Sequence, residues 1–241
     1  MHPRPRRPPR LVLLAVAACM MGGGGCGRLW PGGERTVLEF RVRQDIEAVL
    51  LSDFGEPPQL AIWLEERATG RVRTVGVTRR SARGQWVGKS ECPVALPRWF
   101  EIHRRETGRK GLPTPQQPAA DAVTRATPKT ERFVWQAEVE PGSRWVCWLE
   151  VNLAGDFNEA FPQLDEAAGR MDTHFCGQPS LLYRAEIAAT PGTRVVPKLY
   201  GYTAPDTTRG DVQRDLSPIT SARTLLKSIE IRVVRRRAWP F

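Results

Sequence analysis

"RFVWQAEVEPGSRWVCWLEVNLA", residues 132–154, carries the reading of the fold. "RFVWQAEVE" and "RWVCWLEVNLA" are rich in β-branched and aromatic residues, and Pro141 and Gly142 between them supply turn chemistry. In the second segment Trp145, Cys147, Leu149 and Val151 fall on one face of a strand, so Cys147 is expected to be a buried, inert thiol. The stretch therefore predicts a β-hairpin.

Working outward, "TVLEFRVR" alternates Leu38, Phe40 and Val42 against Glu39, Arg41 and Arg43, the period of a half-buried strand. "PPQLAIWLEERATGRVRTVGVT" reads as two strands joined near Ala68 to Gly70, while "SLLYRAEIAA" and "KSIEIRVVR" add two more. "LPRWFEIHRR" differs in period, placing Leu96, Trp99, Phe100 and His103 at i, i+3, i+4 and i+7 behind a first-turn Pro97, which predicts a short helix with His103 packed on its apolar face. "TSARTLLK" suits one or two helical turns. "GLPTPQQPAADAVTRATP", ending at Pro128, is a long Pro-rich connection. These elements predict an all-β fold, a two-sheet β-sandwich with one or two short helices and long loops. An outer-membrane barrel is not favoured by the terminal Phe241, since Pro240 and Arg235 to Arg237 suit a lipid-facing strand poorly.

The amino end reads as an address. Arg4, Arg6, Arg7 and Arg10 precede an apolar run from Leu11 to Met21, and those eleven residues fall short of the roughly twenty that span a bilayer as helix. Val16, Ala17 and Ala18 stand before Cys19 as in a lipobox, so residues 1–18 are expected to be a signal peptide and Cys19 the lipid attachment point, with Cys26 the runner-up. Residues 19–33 then form a glycine-rich tether, and residues 34–241 a single sandwich domain. Ordinary secretion without lipid, to give a soluble periplasmic or secreted protein, is the alternative.

Loss of residues 1–18 removes four arginines and no acid, lowering the formal charge from +10 to +6. Export argues against nucleic acid as partner, and anionic lipid head groups suit the basic surface better. No C-x-x-C spacing occurs. By elimination Cys92 and Cys176 are the candidate disulfide pair of an oxidising compartment.

Catalytic motifs are not found: G-x-S-x-G, phosphate-binding glycine loops and G-x-G-x-x-G are all missing from the domain. His174, two residues before Cys176, is a weak metal candidate. "GDFNEAF" offers Asp156, Asn158 and Glu159 as oxygen ligands, although Ala160 and Phe161 break the EF-hand pattern. No cofactor is expected.

"LAIWLEERATGRVRTVGV", "LPRWF", "DAVTRATP", "WLEVNLAGDFNEAF", "GQPSLLYRAEI" and "DLSPITSARTLLKSIEIRV", taken in order, resemble a bacterial family of predicted periplasmic proteins of unknown function. The resemblance implies an exported immunoglobulin-like β-sandwich, similar to the immunoglobulin-like part of the flagellar hook-capping protein. The W-D-G turn of that protein is not matched, since Trp135 is followed by Gln136 and Ala137. Within "DAVTRATP", Asp121, Thr124 and Thr127 are expected to hold the long loop, or else to contact a ligand at the sandwich edge. The function expected is that of a membrane-anchored envelope lipoprotein, a non-enzymatic module with an envelope protein partner. A metal- or small-molecule-binding module is the alternative, and a hydrolase stands behind both.

Overall fold

The computed structural model describes residues 35–52, 57–84, 95–120, 123–173, 175–203 and 210–236. All belong to the compact unit Gly33–Phe241, the other unit of the chain being Met1–Gly32. In chain order the elements are β1 (Arg35–Gln44), α1 (Ile46–Leu51), β2 (Gln59–Glu66), β3 (Val72–Thr78), α2 (Arg79–Arg83), α3 (Pro97–Thr107), β4 (Thr124–Arg125), β5 (Arg132–Val139) and β6 (Arg144–Asn152). The chain continues through β7 (Leu164–Asp165), β8 (Arg170–Met171), β9 (Leu181–Ala188), β10 (Arg194–Val195), β11 (Lys198–Thr203), β12 (Val212–Gln213), a 3-10 turn at Ser221–Thr224, and β13 (Leu226–Arg236).

The fold is mostly β. One sheet has four strands in the order β10-β13-β1-β5, so that the last long strand lies beside the first, from Arg35↔Arg236 to Gln44↔Leu226. The other has seven, in the order β12-β11-β9-β6-β2-β3-β4, antiparallel except where β4 joins β3. Leu38, Phe40 and Val42 of β1 and Ile229, Ile231 and Val233 of β13 share one buried cluster with Leu60, Ile62 and Leu64 of β2 and Trp145, Cys147, Leu149 and Val151 of β6. Each sheet thus buries one face in a common core, which fits a β-sandwich.

The predicted hairpin at residues 132–154 is corrected. Its strands exist, but β5 pairs with β1 in the small sheet while β6 pairs with β2 and β9 in the large one. The stretch therefore crosses between sheets, bringing Trp135 and Ala137 into the core from one side and Trp145 and Cys147 from the other. The connecting turn bonds to the end of β9 instead of closing a ladder: Gly142 N–H donates to Ala189 O, and Ala189 N–H donates to Ser143 O. The hairpin expected at residues 57–78 does form, as β2 and β3, with a bulge between Ile62 and Trp63.

The large sheet is buried on its outer face as well. Ala61, Trp63, Val146, Trp148 and Leu182 form a second cluster there with Trp99 and Ile102 of α3 and Leu96 just before it. That helix matches expectation, with Pro97 in its first turn and Trp99, Phe100 and His103 buried. Gly108 ends it in the left-handed region at φ 72°, its N–H donating to Arg104 O. Of "TSARTLLK", Ser221–Thr224 form a 3-10 turn and the rest enters β13.

Candidate functional site

Three polar arrangements stand out, two of them structural. The first sits where α3 meets the large sheet. Leu96, at the cap position, supplies no side-chain bond, and Pro97 has no N–H. The next two amides, of Arg98 and Trp99, donate instead to the Glu150 carboxylate at 3.2 and 2.7 Å. Ser180 Oγ donates to Glu150 at 2.7 Å and Thr203 Oγ1 at 3.4 Å, and those two hydroxyls also bond to each other. Burial pushes the Glu150 carboxyl up to about 7, against the opposing pull of these hydrogen bonds. A raised carboxyl is the chemistry of a general acid, but Glu150, Ser180 and Thr203 are fully covered by protein, so the group clamps a helix. Glu106 does the same near the other end of α3, accepting from Thr74 N–H at 3.0 Å and Thr74 Oγ1 at 2.6 Å.

The second arrangement gathers part of "GDFNEAF". Asp156 Oδ1 accepts from Ser221 Oγ at 2.6 Å, and Gln178 Nε2 donates to the same hydroxyl at 2.7 Å. Gln178 Oε1 accepts from Thr220 N–H at 2.7 Å, while Asn158 Nδ2 donates to Pro218 O at 2.9 Å. Asp156 and Asn158 thereby fasten the segment before β13, and burial raises the Asp156 carboxyl. Glu159 is exposed and takes no part in this network. Gly177, at φ 63°, lies against the Asp156 backbone, where an added Cβ would sit 2.8 Å from Asp156 N. We expect Gly177→Ala to cost about 2 kcal/mol or more, from the left-handed backbone alone, read as a lower denaturant midpoint.

The other predicted residues are dispersed. Thr124 Oγ1 donates to Ala120 O at 3.2 Å and starts β4, and Arg125 Nη2 reaches Val75 O at 3.1 Å, so this end of the long connection is held to β3. Thr127 is half-buried just beyond. Cys176 is buried, as is Cys147, whose thiol burial pushes far up. Cys19, Cys26, Cys92, Asp121 and His174 lie outside the described residues.

The third arrangement opens to solvent at one end of the small sheet. A pocket of about 210 Å³ is lined by Gln44, Ile46, Val49, Leu50, Pro57, Pro128 and Lys129. Asp45 starts α1 here, accepting from the N–H groups of Glu47 and Ala48 at 3.0 and 3.2 Å, and these bonds, with Lys227 Nζ at 3.2 Å, hold its carboxyl below the usual range. The Val49 side of α1 packs into the core, leaving Leu50 and Leu51 68% and 78% exposed. Of the lining residues, Gln44 is fully buried. Its Nε2 donates to Pro128 O at 3.0 Å and Thr130 O at 2.7 Å. Two carbonyls on that side fix which end of the amide is nitrogen, and Oε1 is left buried without a hydrogen-bond partner. Sequence reading overlooked this site; Asp45 followed by Glu47 and an apolar run was the available helix-start signal.

No protein-family model, curated protein or solved structure matches the chain.

Proposed function

We propose that the chain is an exported lipoprotein, anchored through Cys19, whose folded part works in the cell envelope by binding a protein partner at the α1 pocket. The observation that carries the binding role is the exposure of two neighbouring leucines, Leu50 and Leu51, beside a small open pocket that Leu50 helps to line. A volume of about 210 Å³ lies below the roughly 300–1,000 Å³ of drug-sized ligand pockets and suits one or two side chains of a partner. Support for the anchor is the short apolar run Leu11 to Met21 with Val16, Ala17 and Ala18 directly before Cys19, and among the described residues no helix is long and apolar enough to cross a membrane.

The finer fold reading, an immunoglobulin-like sandwich of the kind found in predicted periplasmic proteins, belongs to the same proposal. It is supported by the antiparallel pairing of the long strands and by the passage of the chain between sheets at β1 to β2 and β5 to β6.

In cells fed a labelled fatty acid, Cys19→Ala is expected to abolish incorporation and Cys26→Ala to leave it unchanged; the reverse would move the anchor. For the pocket, a photo-crosslinking residue at position 50 or 51 of the full chain should give a discrete protein adduct. Position 171, an exposed methionine on β8, should not. Equal adducts at all three positions would remove the pocket from the proposal.

A further inference from the structure

Strand alternation sends Leu38, Phe40 and Val42 inward, so the odd-numbered residues of β1 point out from the small sheet. Its outer face therefore carries Arg35, Arg41 and Arg43 from β1, Arg132 from β5, Arg194 from β10, and Arg232 and Arg236 from β13. Against these seven arginines stand three glutamates on the same face, Glu39, Glu138 and Glu230, and a fourth, Glu131, lies next to Arg132 and accepts from Arg43 Nε at 2.5 Å. The acids are already engaged. Glu39 accepts from Arg41 Nη2 at 2.7 Å and Gln136 Nε2 at 2.8 Å, Glu138 from Arg35 at 2.8 Å, and Glu230 from Arg232 Nε at 2.7 Å. Arg132 and Arg194 are exposed, and the side chains of Arg41, Arg43 and Arg236 keep 46%, 44% and 54% of their surface open. The face carries more arginines than acids.

Its position adds a second argument. Arg35 pairs with Arg236 at the end of the sheet where β1 begins, and sixteen residues separate Arg35 from Cys19. Sixteen residues reach at most about 55 Å, so an anchor at Cys19 keeps this sheet within a short distance of the bilayer and raises its effective concentration there.

We infer that the outer face of the four-stranded sheet docks on anionic phospholipid head groups of the membrane that holds the anchor. The inference rests on the anchored reading for its setting and on the arginine face for its chemistry. Guanidinium groups bind phosphate through paired N–H donors, and those spread over four strands meet many head groups at once.

Full-length chain carrying Cys19→Ala and Cys26→Ala, and so not acylated, is mixed with phosphatidylglycerol or phosphatidylcholine vesicles and sedimented. Binding should favour phosphatidylglycerol at least tenfold and fade as salt is raised to about 0.5 M, where screening shortens to a few ångströms. Substituting Arg43, Arg132 and Arg194 by Ser should weaken binding to phosphatidylglycerol about a hundredfold, at roughly fivefold per arginine. A charge-matched control, Lys110→Ser, Arg170→Ser and Lys198→Ser, should weaken it less than fivefold. Equal binding to both lipids, salt-insensitive binding, or equal losses in the two triple variants would each overturn the inference. Binding of soluble polyphosphate by this face without vesicle binding would overturn it too, making the face a polyanion site. Because the test omits the acyl chain, its failure is separate from failure of Cys19 labelling.

Discussion

Glu150→Ala should lower the unfolding free energy by about 4 kcal/mol, because it strips acceptors from two helix amides and two hydroxyls in a dry interior. Loss of a helix cap alone is worth about 1 kcal/mol, and each buried donor left unpaired adds about 1–3 kcal/mol before relaxation. A pH signature separates this from ordinary cavity damage. The folded-state carboxyl is raised from the ordinary 4.5 to about 7, so the folded state holds the proton more tightly than the unfolded chain. Raising the pH through that window favours unfolding, by about 3 kcal/mol over the whole interval at 1.36 kcal/mol per unit. Stability from this group is therefore full below pH 4.5 and lost as pH climbs through 7. Glu150→Gln should erase that part of the slope while keeping one acceptor oxygen. Denaturant melts of both proteins between pH 4 and 8 check this. Parallel curves would mean that Glu150 ionises in the folded protein as it does in solution.

Trp63→Ala is the second large effect, about 4 kcal/mol, in the range measured for removing a buried Trp or Phe. Trp63 has no exposed surface, stacks on Trp148 with ring centres 5.9 Å apart and planes 10° from parallel, and lies in the cluster that seats α3. For a domain of this size the loss corresponds to a melting point lower by roughly 8–16 °C. Trp63→Phe should cost much less. The indole Nε1 is buried without a partner, so phenylalanine sheds an unmet N–H along with some packing. A Phe variant as damaged as the Ala variant, by calorimetry, would show that indole shape outweighs that relief.

Which parts of this structure could be read in advance follows from the range of the forces involved. The α3 pattern was legible because Leu96, Trp99, Phe100 and His103 encode one helix face locally. The strands were legible for the same reason. Whether β5 and β6 pair with each other or face each other across the core is not local: alternation and a Pro-Gly turn serve either geometry, and about two thirds of sequential strands do pair or neighbour. The missed partner is β9, whose end takes the turn's hydrogen bonds. Glu150 was hidden likewise. Alternating with Leu149 and Val151, it reads as a solvent-facing charge, and only the docking of α3 some fifty residues upstream seals it. In "GDFNEAF", Asp156 and Asn158 look like ligands for an ion because oxygen-rich loops serve both purposes; here Asp156 Oδ1 accepts from Ser221, Asn158 Oδ1 accepts from Phe161 N–H, and the Asn158 amide donates to Thr220 and Pro218.

The antiparallel register of β1 has a mechanical meaning. Arg35 begins the strand, while Gln44 and α1 stand at its far end, about 30 Å away at the usual strand rise. A tug between an anchor behind Arg35 and a partner gripping Leu50 would run lengthwise through β1. Its ladders to β13 on one side and β5 on the other would then be loaded together in shear, instead of peeling rung by rung. Under such a load the first strand of the domain would act as a tension member.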